Sequence, residues 1–456
     1  MQTIWQRLKP HSITILLAII FIAAGQLHLY QQWIGISYAE EVTLTILLIT
    51  ALFWVTESLP LYITSLGVLA MCILWLLPIL HEQGATVENG VFYQAFFGDI
   101  TLLFMGGFVL SALLNKYGLA HRMANWVLSR TGDSPARVLL GIILISALLS
   151  MWMSNTATAA MMFAIISPII LQLKASPFAR GMAIAIPFAC NIGGLGTPIG
   201  TPPNAIAMEY LQQEGMDLSF AGWMLLSLPF VILLLYLLWV LVLKRYAPGD
   251  LKISIEESAQ TSGFTVRQYL VMAIFGVTIL GWLTTSYTGL TSGMVGLLAL
   301  ILSFGIGLLQ TPDFRNISWD ILFMLGGGLC LGVALNQSGL TSTIANAIPG
   351  SLGFWPILVL LLILGAIMTT FMSNTATANL LIPVAVSLSG NAFVFAVGIS
   401  IMCSTSMALP VSTPPNAIAF GSGLLKSRDM ITSGLLITLI ALVLTILGAA
   451  FYFPLF

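Results

Sequence analysis

Charge is what this sequence has least of. Its 456 residues include 15 Lys and Arg and 16 Asp and Glu, 7% of the chain, against 58% in the hydrophobic set. A soluble domain carries about 25% charged residues. So few cannot coat a body of this size, and lipid is the expected solvent for most of it. A net charge of −1 offers no concentrated basic footprint, which argues against a nucleic-acid partner. The four cysteines, Cys72, Cys190, Cys330 and Cys403, are scattered in apolar runs without metal-type spacing and read as small core hydrophobes. Behind Arg7 and Lys9, the first apolar run, Ile13 to Leu27, is followed by no small-residue cleavage motif, so it is expected to remain as a span.

What the chain has instead is long apolar runs. A helical span needs about 20 apolar residues. Runs of that order occur at 13–30, 42–59, 61–80, 99–115, 223–243, 268–285, 291–309, 320–336 and 430–453. Four further stretches, 138–173, 181–208, 354–388 and 392–420, are equally uncharged but are interrupted by Pro, Gly and small polar residues. Cytoplasmic loops collect Lys and Arg. With the N-terminus inside, each unbroken run crossing once, and 138–173 and 354–388 read as re-entrant hairpins, every basic residue falls on one side: Arg7, Lys9, Lys116, Arg122, Arg130, Arg137, Lys174, Arg180, Lys244, Arg245, Lys252, Arg267, Arg315, Lys426 and Arg428. The opposite loops hold acids such as Glu40, Glu82 and Glu214. The expected fold class is an all-α polytopic membrane protein with 11 transmembrane helices, two hairpins of opposite entry side and an outside C-terminus. The one sizeable loop, 245–267, with Pro248, Asp250, Glu256, Glu257 and Gly263, reads as a linker between halves.

The halves repeat each other. Met153-Ser154-Asn155-Thr156-Ala157-Thr158-Ala159 recurs letter for letter as Met372-Ser373-Asn374-Thr375-Ala376-Thr377-Ala378, 219 positions later. Thr201-Pro202-Pro203-Asn204-Ala205-Ile206-Ala207 recurs as Thr413-Pro414-Pro415-Asn416-Ala417-Ile418-Ala419, 212 positions later. Asp99, Gly106, Gly107, Asn115 and Gly118 are echoed by Asp320, Gly327, Gly328, Asn336 and Gly339 at an offset of 221. The first hairpin enters from the cytoplasm and the second from outside, so the repeat is inverted. Inverted repeats with broken helices are the architecture of secondary transporters. Duplication that merely built a bundle would not concentrate identity on polar letters.

Irregular backbone at membrane depth is tolerated where it is buried in protein or lines a wet cavity. Ser-Asn-Thr at a hairpin tip places three short polar side chains where a helix stops. Consecutive prolines break the helix at Gly200-Thr201-Pro202-Pro203 and Ser412-Thr413-Pro414-Pro415. Freed carbonyls can face a cation; hydroxyls, Asn amides and helix N-termini can face an anion. No Asp, Glu, Lys, Arg or His occurs from Ile321 to Leu425, from Val138 to Leu173 or from Gly181 to Met208. A proton-relay antiporter or cation pump would want an intramembrane carboxylate there, and a bound dianion would need borrowed positive charge. Sodium ions held by oxygen ligands would supply it. An intramembrane enzyme needs acid-base or nucleophilic groups within reach of each other, and His11, His28, His81 and His121 all lie outside the broken stretches. A passive channel is disfavoured by inverted halves around a closed polar centre. Asp99 and Asp320 read as first-turn acids or caps, Glu57 as a water-accessible or paired acid, and the eleven Trp, among them Trp54, Trp75, Trp223 and Trp282, as interfacial or packing residues.

The paired Ser-Asn-Thr tips and Thr-Pro-Pro-Asn breaks resemble those of the divalent anion/sodium symporter family, which carries dicarboxylates, citrate and sulfate. The resemblance covers essentially the whole chain. It implies a homodimer, a fixed scaffold and a mobile elevator-type transport domain, in the inner membrane of a bacterium. On this chain that means scaffold at 1–97 and 223–317 and transport parts at 98–222 (hairpin about 135–172, broken helix about 181–208) and 318–429 (hairpin about 354–388, broken helix about 392–420). A final helix follows at 430–456. The first sodium site implied is Ser150, Ser154, Asn155 and Gly200; the second is Thr369, Met372, Ser373, Asn374 and Ser412. The substrate contacts implied are Ser154, Asn155, Thr156 and Thr201 with Ser373, Asn374, Thr375 and Thr413, while Asn204 and Asn416 brace the broken helices. Sodium is the coupling ion implied, with no organic cofactor. The absence of a fixed cation in the motif stretches favours symport over sodium-independent exchange. The short central loop, unlike the long inserts of many sulfate carriers, puts a C4 dicarboxylate such as succinate, malate or fumarate first and citrate next.

Overall fold

The computed structural model describes residues 12–88, 90–173, 176–249, 251, 253, 263–347, 353–388 and 391–456. Arg7, Lys9, His11, Lys174, Asp250, Lys252, Glu256 and Glu257 lie outside the described residues. Among the described residues there are helices and no strand. The principal helices are α1 (Ser12–Gln26), α2 (Tyr38–Thr56), α3 (Leu61–Glu82), α4 (Asp99–Lys116), α5 (Pro135–Ser150), α6 (Asn155–Gln172), α7 (Pro177–Gly194), α8 (Pro202–Gln213), α9 (Phe220–Arg245), α10 (Val266–Leu283), α11 (Ser292–Gly305), α12 (Trp319–Ser338), α13 (Phe354–Phe371), α14 (Asn374–Ser387), α15 (Ala392–Thr405), α16 (Pro414–Gly421) and α17 (Ser427–Phe451). Nine helices among the described residues are long and apolar enough to cross a membrane, and they include α6 and α13, one arm of each expected hairpin. This is a multi-pass membrane protein.

Helices suit these runs because in lipid every backbone amide and carbonyl must find a partner inside its own segment. Their starts are capped by short polar residues. Ser37 and Glu40 form a reciprocal capping box on α2, and Ser219 and Thr265 accept from Gly222 N and Gln268 N at the starts of α9 and α10. Within α3 the helix widens to a π-turn over Cys72–Leu76, just ahead of Pro78, which has no amide proton to give.

The two halves match helix for helix, α4–α8 against α12–α16, and they interlock. Helix α4 of the first half packs on α11 of the second, and α12 of the second packs on α3 of the first. A Cβ at Gly106 would stand 2.4 Å from the Gly296 Cα, and one at Gly327 would stand 2.3 Å from the Ser65 Cβ. Small residues bring helix backbones together where no hydrophobic force between lipid-solvated helices exists. The echo of Gly106-Gly107 in Gly327-Gly328 thus marks equivalent helix crossings.

The expected cores are present. All four cysteines are buried and free. Trp54, Trp223 and Trp282 are fully buried packing residues whose indole nitrogens donate to Leu61 O, Leu195 O and Ser292 O. Asp99 sits in the first turn of α4, but its carboxylate accepts from Gly293 N at 3.0 Å and from the Thr291 hydroxyl. It therefore caps α11 across the interlock rather than its own helix. Glu57 is exposed at the end of α2.

Candidate functional site: two hairpin tips and two helix breaks

Four of the eight residues expected to touch substrate are helix N-caps. Ser154 starts α6, Thr201 starts α8, Ser373 starts α14 and Thr413 starts α16, each with extended backbone angles. Proline at the first turn of α8 and α16 suits this, because its missing amide is one of those a helix start leaves unpaired. The Ser154 hydroxyl accepts from Ala157 N at 3.2 Å, the Ser373 hydroxyl from Ala376 N at 3.1 Å and the Thr413 hydroxyl from Asn416 N at 3.4 Å. Helix starts carry unpaired amides and about half a positive charge each, so they are anion-binding ends.

Behind each tip the turn is tied in the same way. The buried Ser150 hydroxyl, at the end of α5, donates to Asn155 Oδ1 at 2.5 Å; the buried Thr369 hydroxyl, at the end of α13, donates to Asn374 Oδ1 at 2.6 Å. Beside the first tie stands the break of α7. A Cβ at Gly194 would be 2.9 Å from Asn155 Oδ1 and 3.1 Å from Gly200 O, and one at Gly200 would be 2.4 Å from Gly194 O. Beside the second tie stands the end of α15, whose Cys403 carbonyl accepts from Thr369 Oγ1 at 3.3 Å. Ser150, Asn155 and Gly200, three residues of the first expected sodium site, are therefore gathered with Gly194. Thr369 and Asn374 of the second are gathered with the Cys403 carbonyl. Met372 ends α13 in an extended conformation, buried, and Ser412 lies buried in the second break.

Asn204 and Asn416 brace the breaks. Asn204 Nδ2 donates to Gly194 O at 2.9 Å, Thr197 O at 2.8 Å and Leu195 O at 3.4 Å. Asn416 Nδ2 donates to Met407 O and Leu409 O, both at 3.0 Å, and to Ser412 Oγ at 3.2 Å. With the 212 offset, Leu195 and Thr197 answer to Met407 and Leu409, so the two breaks are held by the same device. All the oxygens concerned are neutral hydroxyls, amides and carbonyls, the donor set a hard monovalent cation takes.

The tips are not equally covered. Thr156 is exposed while its counterpart Thr375 is buried, and Val411 and Pro414 are exposed where Ile199 and Pro202 are more covered. A cavity of about 630 Å³ lies between α6 and the end of α16, lined by Phe163, Ser167, Leu171, Ile418 and Ser422. A second, of about 410 Å³, lies between the end of α8 and α14, lined by Glu214, Met216, Ser387, Asn391 and Phe393. Each joins a hairpin of one half to a broken helix of the other.

Four participants were not singled out by the motifs. Gly194 and the Cys403 carbonyl flank the ties, and Asn191 and Ser400 bond across the halves. Asn191 carried a readable signal, one of only two amide side chains, with Asn204, in the uncharged run 181–208. A backbone carbonyl such as that of Cys403 leaves no trace in the letters.

Two capped helix-turn-helix tips, set against two braced helix breaks in a multi-pass bundle, are the kind of arrangement secondary transporters use. The citrate transporter family model (CitMHS) matches residues 51–400. The sodium-dependent dicarboxylate transporter SdcS of Staphylococcus aureus, strain USA300, is 31% identical over 469 residues, covering 92% of this chain and 86% of that protein; the same protein of strain NCTC 8325 / PS 47 matches to the same extent. A solved structure, the YdaH transporter of Alcanivorax borkumensis, shares the fold with a TM-score of 0.58 at 13% identity, over 87% of this chain and 100% of that one. The chain belongs to the divalent anion/sodium symporter family.

Proposed function

We propose that the protein is a sodium-coupled symporter that imports C4 dicarboxylates such as succinate, malate or fumarate. The observation that carries this reading is the doubled tie, Ser150–Asn155 and Thr369–Asn374, set behind two capped tips in stretches that own no charged side chain. Each tie gathers neutral oxygens fit for sodium: Ser150, Ser154, Asn155 and Gly200 around one ion, and Thr369, Met372, Ser373, Asn374 and Ser412 around the other. The substrate carboxylates lie against the helix starts at Ser154, Asn155, Thr156 and Thr201 and at Ser373, Asn374, Thr375 and Thr413. Helix ends and two sodium ions together balance the dianion, so substrate affinity and sodium occupancy are linked.

The chain crosses the inner membrane of a bacterium eleven times, with the N-terminus cytoplasmic and the C-terminus outside, and the two hairpins dip in from opposite faces. The two cavities are then the approaches from the cytoplasm, beside α6, and from outside, beside α14. The protein works as a homodimer whose scaffold, 1–97 and 223–317, stays fixed while the parts at 98–222 and 318–429 carry the site across as an elevator, with 430–456 as a closing helix. The glycine contacts of α4 with α11 and of α12 with α3 tether these two helices to the scaffold.

Uptake of labelled succinate into proteoliposomes, with a sodium gradient or with choline in its place, tests the reading. Uptake that is equal in choline overturns it. The family model's description as a citrate transporter supports a second reading, citrate as cargo. Competition by citrate, sulfate and 2-oxoglutarate decides between them, since a citrate carrier is blocked by citrate well below the concentration at which succinate saturates.

A further inference from the structure

We propose that Asn191 and Ser400 are positioning residues that couple the two ion clusters, each through one bond between the repeats. The inference rests on the symport reading. Asn191 stands on α7 one turn before Gly194, which flanks the first tie, and its Nδ2 donates at 3.1 Å to the hydroxyl of Thr413, the residue after Ser412 in the other half. Ser400 stands on α15 one turn before Cys403, whose carbonyl flanks the second tie, and its hydroxyl donates at 2.9 Å to Asn204 Oδ1. The other end of that same Asn204 amide holds the carbonyls of Gly194, Leu195 and Thr197 around the first break. Each bond starts on the helix beside one cluster and ends on a residue that frames the other. All four side chains are at most 3% exposed.

The repeat does not require these bonds. At the 212 offset Asn191 answers to Cys403, whose thiol is only a weak donor, and Ser400 answers to Phe188, which has no donor at all. Asn416 Oδ1, the atom equivalent to the one Ser400 serves, is buried without a hydrogen-bond partner among the described residues. The pair is an addition to the duplicated site that runs between its halves.

Physically, an ion that orders Asn155, Gly194 and Gly200 fixes Asn204, and Asn204 fixes Ser400 and the last turn of α15. That turn presents the Cys403 carbonyl to the second cluster. In the reverse direction, an ion beside Ser412 fixes the cap Thr413, and with it Asn191 and the last turn of α7. Such coupling is reciprocal, so each ion raises the affinity for the other by the same factor. In uptake it shows as a sigmoid dependence on sodium.

The test is a sodium titration of succinate uptake at saturating succinate in proteoliposomes, paired with a sodium titration of thermal stability without succinate. Both are run for the wild type, Asn191→Ala, Ser400→Ala and Ser400→Thr. The expected result is a sigmoid wild type, a Hill coefficient falling toward one in the two alanine variants, and a midpoint raised about fivefold, the lower end of ordinary coupling factors. Maximal uptake is expected to be retained, and Ser400→Thr to keep the wild-type curve because its hydroxyl is kept. Ser400→Ala leaves Asn204 Oδ1 as Asn416 Oδ1 is, and the thermal titration reads the folding of this variant directly. A sodium-dependent wild type whose Hill coefficient and midpoint are unchanged in both alanine variants overturns the coupling role alone. A wild type indifferent to sodium overturns the symport reading, and the coupling with it.

Discussion

The Ser150 hydroxyl donates to Asn155 Oδ1 at 2.5 Å, closing the first hairpin's turn with a bond between residues five apart, and 219 positions on Thr369 and Asn374 do the same at 2.6 Å. The amide oxygen so fixed cannot swing away from the cluster it serves. Alanine at either Asn removes a proposed ion ligand and the tie together, while the Ser154 and Ser373 caps keep the following helices started. Asn155→Ala and Asn374→Ala are each expected to abolish sodium-dependent succinate uptake while the protein still elutes as a single folded species in detergent. Uptake at the wild-type level in both variants would contradict the site.

The helices and the repeat were legible because both are written in periodic, one-dimensional signals. Apolar runs bounded by charge gave the principal helices, and Ser154, Thr201, Ser373 and Thr413 stood out as polar residues at duplicated helix stops and breaks, though not as caps. What could not be read was contact between letters far apart. Asp99 reads as a first-turn acid or cap and does sit in the first turn of α4, but its carboxylate bonds the start of α11, 194 residues away, at Gly293. Asn191 to Thr413 and Ser400 to Asn204 break the repeat's own symmetry, so no comparison of the two halves could supply them. The unequal cover of Thr156 and Thr375 is likewise a property of one arrangement of the helices, and identical letters cannot encode it.

Asn204 and Asn416 carry the two breaks. Replacing Asn204 by alanine strips one amide from three carbonyls; Leu195 O keeps the Trp223 indole and Thr197 O keeps Gly200 N, but Gly194 O loses its side-chain donor, and a buried polar group without its partner costs about 1–3 kcal/mol. Asn204→Ala also leaves the Ser400 hydroxyl without its acceptor. Asn416 serves two carbonyls and the Ser412 hydroxyl, but among the described residues its own oxygen has no partner. Thermal unfolding in detergent is expected to show a larger loss for Asn204→Ala than for Asn416→Ala. Equal losses would mean that Ser400 adds nothing to the first break.

The first cluster depends on the absence of two side chains. A Cβ at Gly200 would press to 2.4 Å against Gly194 O, and one at Gly194 would press against the Asn155 amide at 2.9 Å. These neighbours are backbone or tied side chain and cannot yield cheaply; overpacking of this kind costs about 1–3 kcal/mol. Gly194→Ala and Gly200→Ala are expected to weaken sodium binding, seen as a rightward shift of the sodium titration of uptake, along with lower thermal stability. Gly67→Ala and Gly276→Ala, where no atom lies within 4 Å of the new carbon, serve as neutral controls.

Helix α12 takes hold of both expected transport parts through glycines. The buried Tyr210 of α8 donates its hydroxyl to Gly328 O at 3.1 Å, and Asn379 of α14 donates to Met324 O at 3.2 Å. A Cβ at Gly332 would lie 1.9 Å from Tyr210 Oη and 2.4 Å from two ring carbons, and one at Gly328 would lie 1.9 Å from Asn379 Cγ. Gly332→Ala must therefore displace the Tyr210 ring and break its bond to Gly328, for an expected loss of about 1–3 kcal/mol. Tyr210→Phe keeps the ring carbons in the way and relieves little, whereas Tyr210→Ala empties the space the methyl needs. A double-mutant cycle on thermal stability is thus expected to give a favourable interaction term for Gly332→Ala with either tyrosine variant, larger with Tyr210→Ala, which clears the ring, than with Tyr210→Phe, which removes only the hydroxyl and its already broken bond. Strictly additive losses in both pairs would show that the tyrosine does not sit on the glycine.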